Sequence, residues 1–282
     1  MRIPGRAARG RTRLLAAGAL GAAVLAAAVL AGRPAPTAAA PAPAPEPATT
    51  AAVAAPVTAA RPATGALFAG PADDPGEHYC SAAVVTSAAG DLVVTAAHCV
   101  ADGDGSPART GMSFAPGYDD GTAPYGYWTV TAATVPPGWE QSGDPASDVA
   151  FLTVEQPGSP PVQQLTGAYR LAPAPDPDTT AQDDGSAPTG PTVTAVGYND
   201  GDPAATTVSG TVDSPEPGQW ELPEPGLDDG TSGGPWLTGP DGTEILAVTG
   251  GLQQGGDTPD VSYAADLGDA ARAAYASAGG ED

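Results

Sequence analysis

The stretch "CSAAVVTSAAGDLVVTAAHC", residues 80–99, begins and ends on the chain's two cysteines and carries one of its two histidines. Two β-branched runs, "SAAVVTS" and "DLVVTAA", flank Ala88–Ala89–Gly90–Asp91, a four-residue span suited to a hairpin connection. Folding about Ala89 and Gly90 sets Cys80 opposite Cys99, each equally far from that centre. A disulfide there closes a loop of about 20 residues, worth on the order of 3 kcal/mol. It would also clamp the backbone beside His98. A lone histidine at a strand end is commonly an ordinary polar residue, so its meaning depends on the rest of the chain.

Outward from this hairpin, further short runs read as strands: "YWTVTAATV" (127–135), "DVAFLTV" (148–154), "TVTAVGY" (192–198), "TTVSGTV" (206–212) and "EILAVTGGL" (244–252). Asn-Asp-Gly, Pro-Gly and Asp-Gly signals punctuate them. The one stretch with helical character is "LGDAARAAYASA", residues 267–278, Ala-rich with an acid near its start. Many short strands and one terminal helix predict an all-β barrel or sandwich. The folded domain is expected to run from Thr64 to about Gly279, enough for one ordinary domain or two fused barrels of about 100 residues each.

Two other segments give His98 a context. Asp148 opens "DVAFLTV", where a strand enters the core, and a carboxylate there is costly unless paired. An imidazole N–H is a suitable partner, because the carboxylate fixes the tautomer and stabilises the imidazolium. Asp144 is a competitor, though no apolar strand follows it directly. In "LDDGTSGGPWL", residues 227–237, glycines flank Ser232 and free the backbone to point successive N–H groups into one hollow. A serine hydroxyl is a poor nucleophile until a base takes its proton, and the oxyanion then needs donors. Gly230 and Ser232 are spaced to supply two such N–H groups.

In their order along the chain, "TAAHC", "DVAFL" and "GTSGGPWL" resemble the trypsin-like, chymotrypsin-fold serine proteases, and the "GALF…HYCSAAVV" opening is similar to secreted bacterial members. The likeness runs from about Gly65 to Tyr275. It implies two six-stranded antiparallel β-barrels with the active site in the cleft between them. It further implies His98 as general base, Asp148 as its orienting carboxylate, Ser232 as nucleophile and Gly230 with Ser232 as oxyanion hole. Val248–Gly251 matches the family's substrate-pairing segment, so Thr249, Gly250 and Gly251 are expected to contact substrate, with Gly226 at the base of the primary pocket. Protein or peptide substrates, a monomer and no cofactor follow. With a histidine base, activity is expected to fail below about pH 6 to 7.

The chain departs from the family in places. Thr231 stands where many members carry an acid that binds a newly cut N-terminal ammonium, and no Ile/Val-Val-Gly-Gly start is present to supply one. Activation by N-terminal insertion is therefore not expected. Gly226 replaces the acid that selects Arg or Lys, and Val248 the histidine of Glu-specific relatives. A small or apolar residue before the cleaved bond is expected. Two other classes stay open: a catalytically silent binding or scaffold protein on this fold, and an esterase.

Five arginines and no acid occupy residues 1–13, followed by the uncharged "LLAAGALGAAVLAAAVLAG" at 14–32. This pattern, with small residues near Ala38 and Ala39, predicts a signal peptide over 1–39 and secretion. An uncleaved anchor is the alternative, since 19 apolar residues come close to spanning a bilayer. Residues 40–63 are Ala- and Pro-rich and read as a linker or propeptide. Beyond Arg33 there are 33 acids and four arginines, a net formal charge near −29, which argues against nucleic acid and stable membrane association. No lysine occurs, excluding a Schiff base and a Walker-type phosphate loop. In an exported chain two cysteines favour one disulfide over a metal site, and the short acidic loops lack calcium-loop spacing, so no metal is expected.

Overall fold

The computed structural model describes residues 61–173, 190–258 and 260–281. The predicted signal peptide, and the linker up to residue 60, lie outside the described residues. Six strands form a closed antiparallel barrel: β1 Thr64–Phe68, β2 His78–Val85, β3 Leu92–Thr95, β4 Ser113–Pro116, β5 Trp128–Thr134 and β6 Ala150–Glu155, in the order β1-β2-β3-β6-β5-β4. Its interior is filled by Leu67, Val84, Leu92, Phe114, Trp128 and Leu152, all essentially without solvent exposure. Gly65 lets β1 cross β4 closely, since a Cβ there would stand 2.3 Å from the Ala115 carbonyl oxygen.

The 80–99 hairpin forms with a shifted centre. Val84 faces Val93 and Val85 faces Leu92, so the pairing is symmetric about Ala88 and Ala89, one residue earlier than the equal-arm reading. The turn is set by Ser87, whose hydroxyl accepts from Gly90 N (3.0 Å) and Asp91 N (3.2 Å). Cys99 consequently lies beyond the ladder, on a 3-10 turn, Ala97–Cys99, and bonds Cys80 from there with a Cα–Cα distance of 6.3 Å.

The second sheet contains β7 Arg170–Leu171, β8 Thr192–Gly197, β9 Thr206–Thr211, β10 Gln219–Leu222, β11 Pro235–Thr238, β12 Glu244–Thr249 and β13 Ser262–Asp266. Six of these run in the order β10-β13-β12-β11-β8-β9, and β7 adds a short parallel pairing to β12. The sheet curls until Asp213, just past β9, meets Glu221 of β10. Those two residues exchange backbone hydrogen bonds of 3.0 and 2.8 Å. The expected six-stranded barrel is thus an antiparallel sheet joined through one bridge, with a seventh strand attached. Trp220, Leu222, Trp236 and Leu246 pack its core.

Helix α1 Pro137–Ser142 and helix α2 Val162–Thr166 are short. Helix α3 Asp269–Ser277 is the predicted terminal helix, and its Tyr275 ring packs 5.3 Å from Phe151 of β6. No helix among the described residues is long and apolar enough to cross a membrane.

Candidate active site

His98 lies on the 3-10 turn after β3, between buried Ala97 and the disulfide-bonded Cys99, with its side chain 12% exposed. Asp148 follows the 3-10 turn Pro145–Ser147 and precedes β6 with no exposure at all. Burial of a carboxylate demands hydrogen-bond donors, and Asp148 has three. Its Oδ2 accepts from His98 Nδ1 at 2.7 Å and from Gly251 N at 2.8 Å, and its Oδ1 accepts from His98 N at 2.8 Å. Because a carboxylate only accepts, the ring proton sits on Nδ1, leaving the Nε2 lone pair free. Asp144 does something different: it caps the preceding turn, accepting from Ala146 N (3.1 Å) and Ser147 Oγ (3.0 Å).

Ser232 sits in a loop that only glycines permit. Gly233 has φ +80, and a Cβ on it would lie 2.1 Å from Thr95 Oγ1 and 2.4 Å from the Ser81 carbonyl oxygen. A Cβ on Gly234 would lie 2.2 Å from the Val196 carbonyl oxygen. The loop therefore presses against β2, β3 and β8, with Ser81 N donating to Ser232 O at 2.7 Å. Neither Gly230 N nor Ser232 N donates to an acceptor among the described residues. Thr231 is buried, and both its N and its Oγ1 donate to Asp228 O, at 3.1 and 2.8 Å. The position before the serine thus closes a local turn.

His98 and Ser232 line one open cavity of about 340 Å³, together with Leu227, Thr249, Gln254 and the acids Asp228, Asp229 and Asp257. Of the four residues expected at substrate, Thr249 lines this cavity; Gly226 is exposed outside its lining. Gly250 and Gly251 face Asp148 instead. A Cβ on Gly250 would stand 2.9 Å from Asp148 Oδ2, which excludes a side chain there. Beyond them the chain turns into a 3-10 segment, Leu252–Gly255, in which Gln253 and Gln254 both adopt left-handed backbone angles, φ 52 and 53. This brings Gln254 O to 3.5 Å from Ser232 Oγ, the one hydrogen-bond contact of that hydroxyl among the described residues; none is made to His98 Nε2.

The other histidine lies elsewhere. His78 Nε2 bonds the Asp202 carbonyl at 3.0 Å, and its ring packs among Phe68, Tyr118 and Tyr198. Tyr79, next to the disulfide, donates its hydroxyl to Cys99 O at 2.9 Å, and burial pushes its pKa up to about 12. Among the described residues the close grouping of potential metal-ligand side chains is Cys80, His98 and Cys99, and its two sulfurs are consumed by the disulfide. The Gly251 donor and the Gln253–Gln254 turn had no signal in the sequence beyond the glycine pair itself.

The family profile described as a trypsin-like peptidase domain matches residues 80–247. Among solved structures, the protease Anisep from Arthrobacter nicotinovorans is 25% identical, with a TM-score of 0.63 over 78% of this chain and 96% of that one. The thermostable serine protease AL20 from an extremophilic microorganism is 29% identical, with a TM-score of 0.63 over 78% and 98% of the two chains. A Glu endopeptidase is 19% identical, with a TM-score of 0.59 over 80% and 94%, a likeness of fold. A search of curated protein sequences returns no match.

Proposed function

Since the chain belongs to the trypsin-like peptidase domain family, with two antiparallel barrel-like sheets of chymotrypsin type, we propose that it is a secreted serine endopeptidase working through His98, Asp148 and Ser232. The observation that carries this reading is the fully buried Asp148 carboxylate bonded to His98 Nδ1, with His98 and Ser232 sharing one cavity. His98 Nε2 takes the Ser232 hydroxyl proton as Oγ attacks the peptide carbonyl carbon, and Asp148 stabilises the resulting imidazolium. The tetrahedral oxyanion is held by Gly230 N–H and Ser232 N–H. Collapse expels the amine, which takes the proton from His98, and leaves an acyl ester on Ser232. Water then repeats the sequence, releasing the acid and restoring the hydroxyl.

Secretion is supported by the leader pattern and by the Cys80–Cys99 disulfide, which persists in oxidising surroundings. The acids at the cavity rim argue against an anionic side chain before the cleaved bond. One observation favours the catalytically silent alternative: Gln254 O stands against Ser232 Oγ. Labelling with a fluorophosphonate and hydrolysis of casein decide. The parent protein reacts and hydrolyses, and Ser232→Ala does neither; a mutant retaining both would remove Ser232 from its role. Ester turnover without casein cleavage would identify an esterase.

A further inference from the structure

Thr231 leaves open what holds the Gly230–Ser232 loop in its working shape without a buried ammonium–carboxylate pair. In a trans peptide the N–H points opposite to the preceding carbonyl, so each oxyanion donor is aimed by the carbonyl before it. Asp229 O, which aims Gly230 N–H, accepts from Asp200 N at 2.5 Å. Thr231 O, which aims Ser232 N–H, accepts from Gly234 N at 2.9 Å. Gly230 O accepts from Ser81 Oγ at 3.0 Å, and that hydroxyl accepts in turn from Tyr198 N at 2.9 Å. The amide of Asn199 spans the start of the loop: Nδ2 donates to Gly226 O at 3.2 Å, and Oδ1 accepts from Asp228 N at 3.0 Å. Asn199 Nδ2 also reaches Thr206 Oγ1 of β9 at 3.3 Å, tying this splint to the second sheet.

We propose that Asn199 and Ser81 are positioning residues for the oxyanion-binding loop: together they clamp residues 226–230 so that Gly230 N–H and Ser232 N–H converge, a task done here by neutral side chains. The proposal rests on the serine peptidase reading above. Asn199 is half-buried and Ser81 fully buried, so Asn199→Ala is the milder perturbation and Ser81→Ala the more severe. Neither lines the cavity shared by His98 and Ser232. Loosening the loop removes interactions made only when the oxyanion exists, so it lowers kcat and leaves KM alone.

The test measures kcat and KM on a peptide anilide, the inhibition constant of a peptide aldehyde that forms a tetrahedral adduct with Ser232, and the fraction of titratable sites. Asn199→Ala is expected to lower kcat about 10- to 100-fold with KM within about twofold. Aldehyde binding should weaken by a matching factor, at an unchanged site count. Ser81→Ala should move the same quantities in the same direction. Unchanged kcat in Asn199→Ala, or a kcat loss matched by lost titratable sites or by a parallel rise in KM, overturns the proposal. An active parent with unaltered variants leaves the peptidase reading intact, whereas a parent inert to fluorophosphonate and casein overturns both.

Discussion

The turn over the serine makes a directional prediction. A reacting carbonyl must come within about 3 to 3.5 Å of the nucleophile, and Gln254 O occupies that distance from Ser232 Oγ. Substrate is therefore expected to displace the Leu252–Gly255 segment. Gln253 and Gln254 work against the closed turn, because each holds a left-handed conformation costing about 1 kcal/mol in a residue other than glycine. Both side chains are exposed and line the cavity, so glycine and valine, which both remove the amide, are compared with each other to isolate the backbone effect. Replacing both with glycine removes about 2 kcal/mol of strain from the closed form, an equilibrium factor of about 30. kcat/KM for a peptide anilide should fall by up to that factor. Gln254→Val, whose β-branch opposes positive φ, should raise kcat/KM by several-fold. The two variants are assayed side by side with the parent, with fluorophosphonate labelling rate as a second readout. Equal values for all three proteins, or glycine activating and valine inhibiting, would refute the reasoning.

Other expectations follow from the same geometry. Asp148→Asn places an amide N–H among three donors, so His98 must carry its proton on Nε2 to accept at Nδ1; kcat should fall about 10⁴-fold in anilide assays, and retention of a tenth of the activity would contradict the role. Asp266 has its carboxyl pKa raised, chiefly by burial, against the opposing pull of Gly268 N–H and Arg272. Its ionisation therefore weakens the folded state, and parental stability is fully present in acid and declines as pH rises through the folded pKa. Asp266→Asn should melt higher than the parent near neutral pH, with the gap closing toward pH 4 or so; a constant gap in thermal melts would deny the linkage. Peptides with Glu before the cleaved bond should react at least about tenfold more slowly than their Gln isosteres, given Asp228, Asp229 and Asp257 at the rim. Equal rates would remove the rim charges from selectivity.

Much of this was legible in the chain because the informative residues occupy constrained local settings. "TAAHC", "DVAFL" and "GTSGGPWL" each join a polar group to a strand end or a glycine turn, and the structure brings His98 and Ser232 to one cavity, with Asp148 buried and bonded to His98. The β-branched runs became β2, β3, β5, β6, β8, β9 and β12. β1, β4, β10, β11 and β13 carry few β-branched residues and are strands because barrel closure pairs them. The hairpin centre escaped symmetry arithmetic because the Ser87 hydroxyl, rather than the glycine, sets the turn. Asn199 lies 29 residues from the Asp228 amide that it holds, and no periodicity reports a side chain bridging two loops.

The two barrels divide the site between them. His98 and Asp148 hang from the first barrel, while Ser232, Gly230 and Gly251 hang from the second, and the Gly251–Asp148 hydrogen bond joins the halves. Among the described residues the second sheet shuts through the Asp213–Glu221 bridge. During folding, then, neither half owns a working set of groups. On the proposed function, a chain with only one barrel formed is inert, and hydrolysis begins only when the two bodies dock.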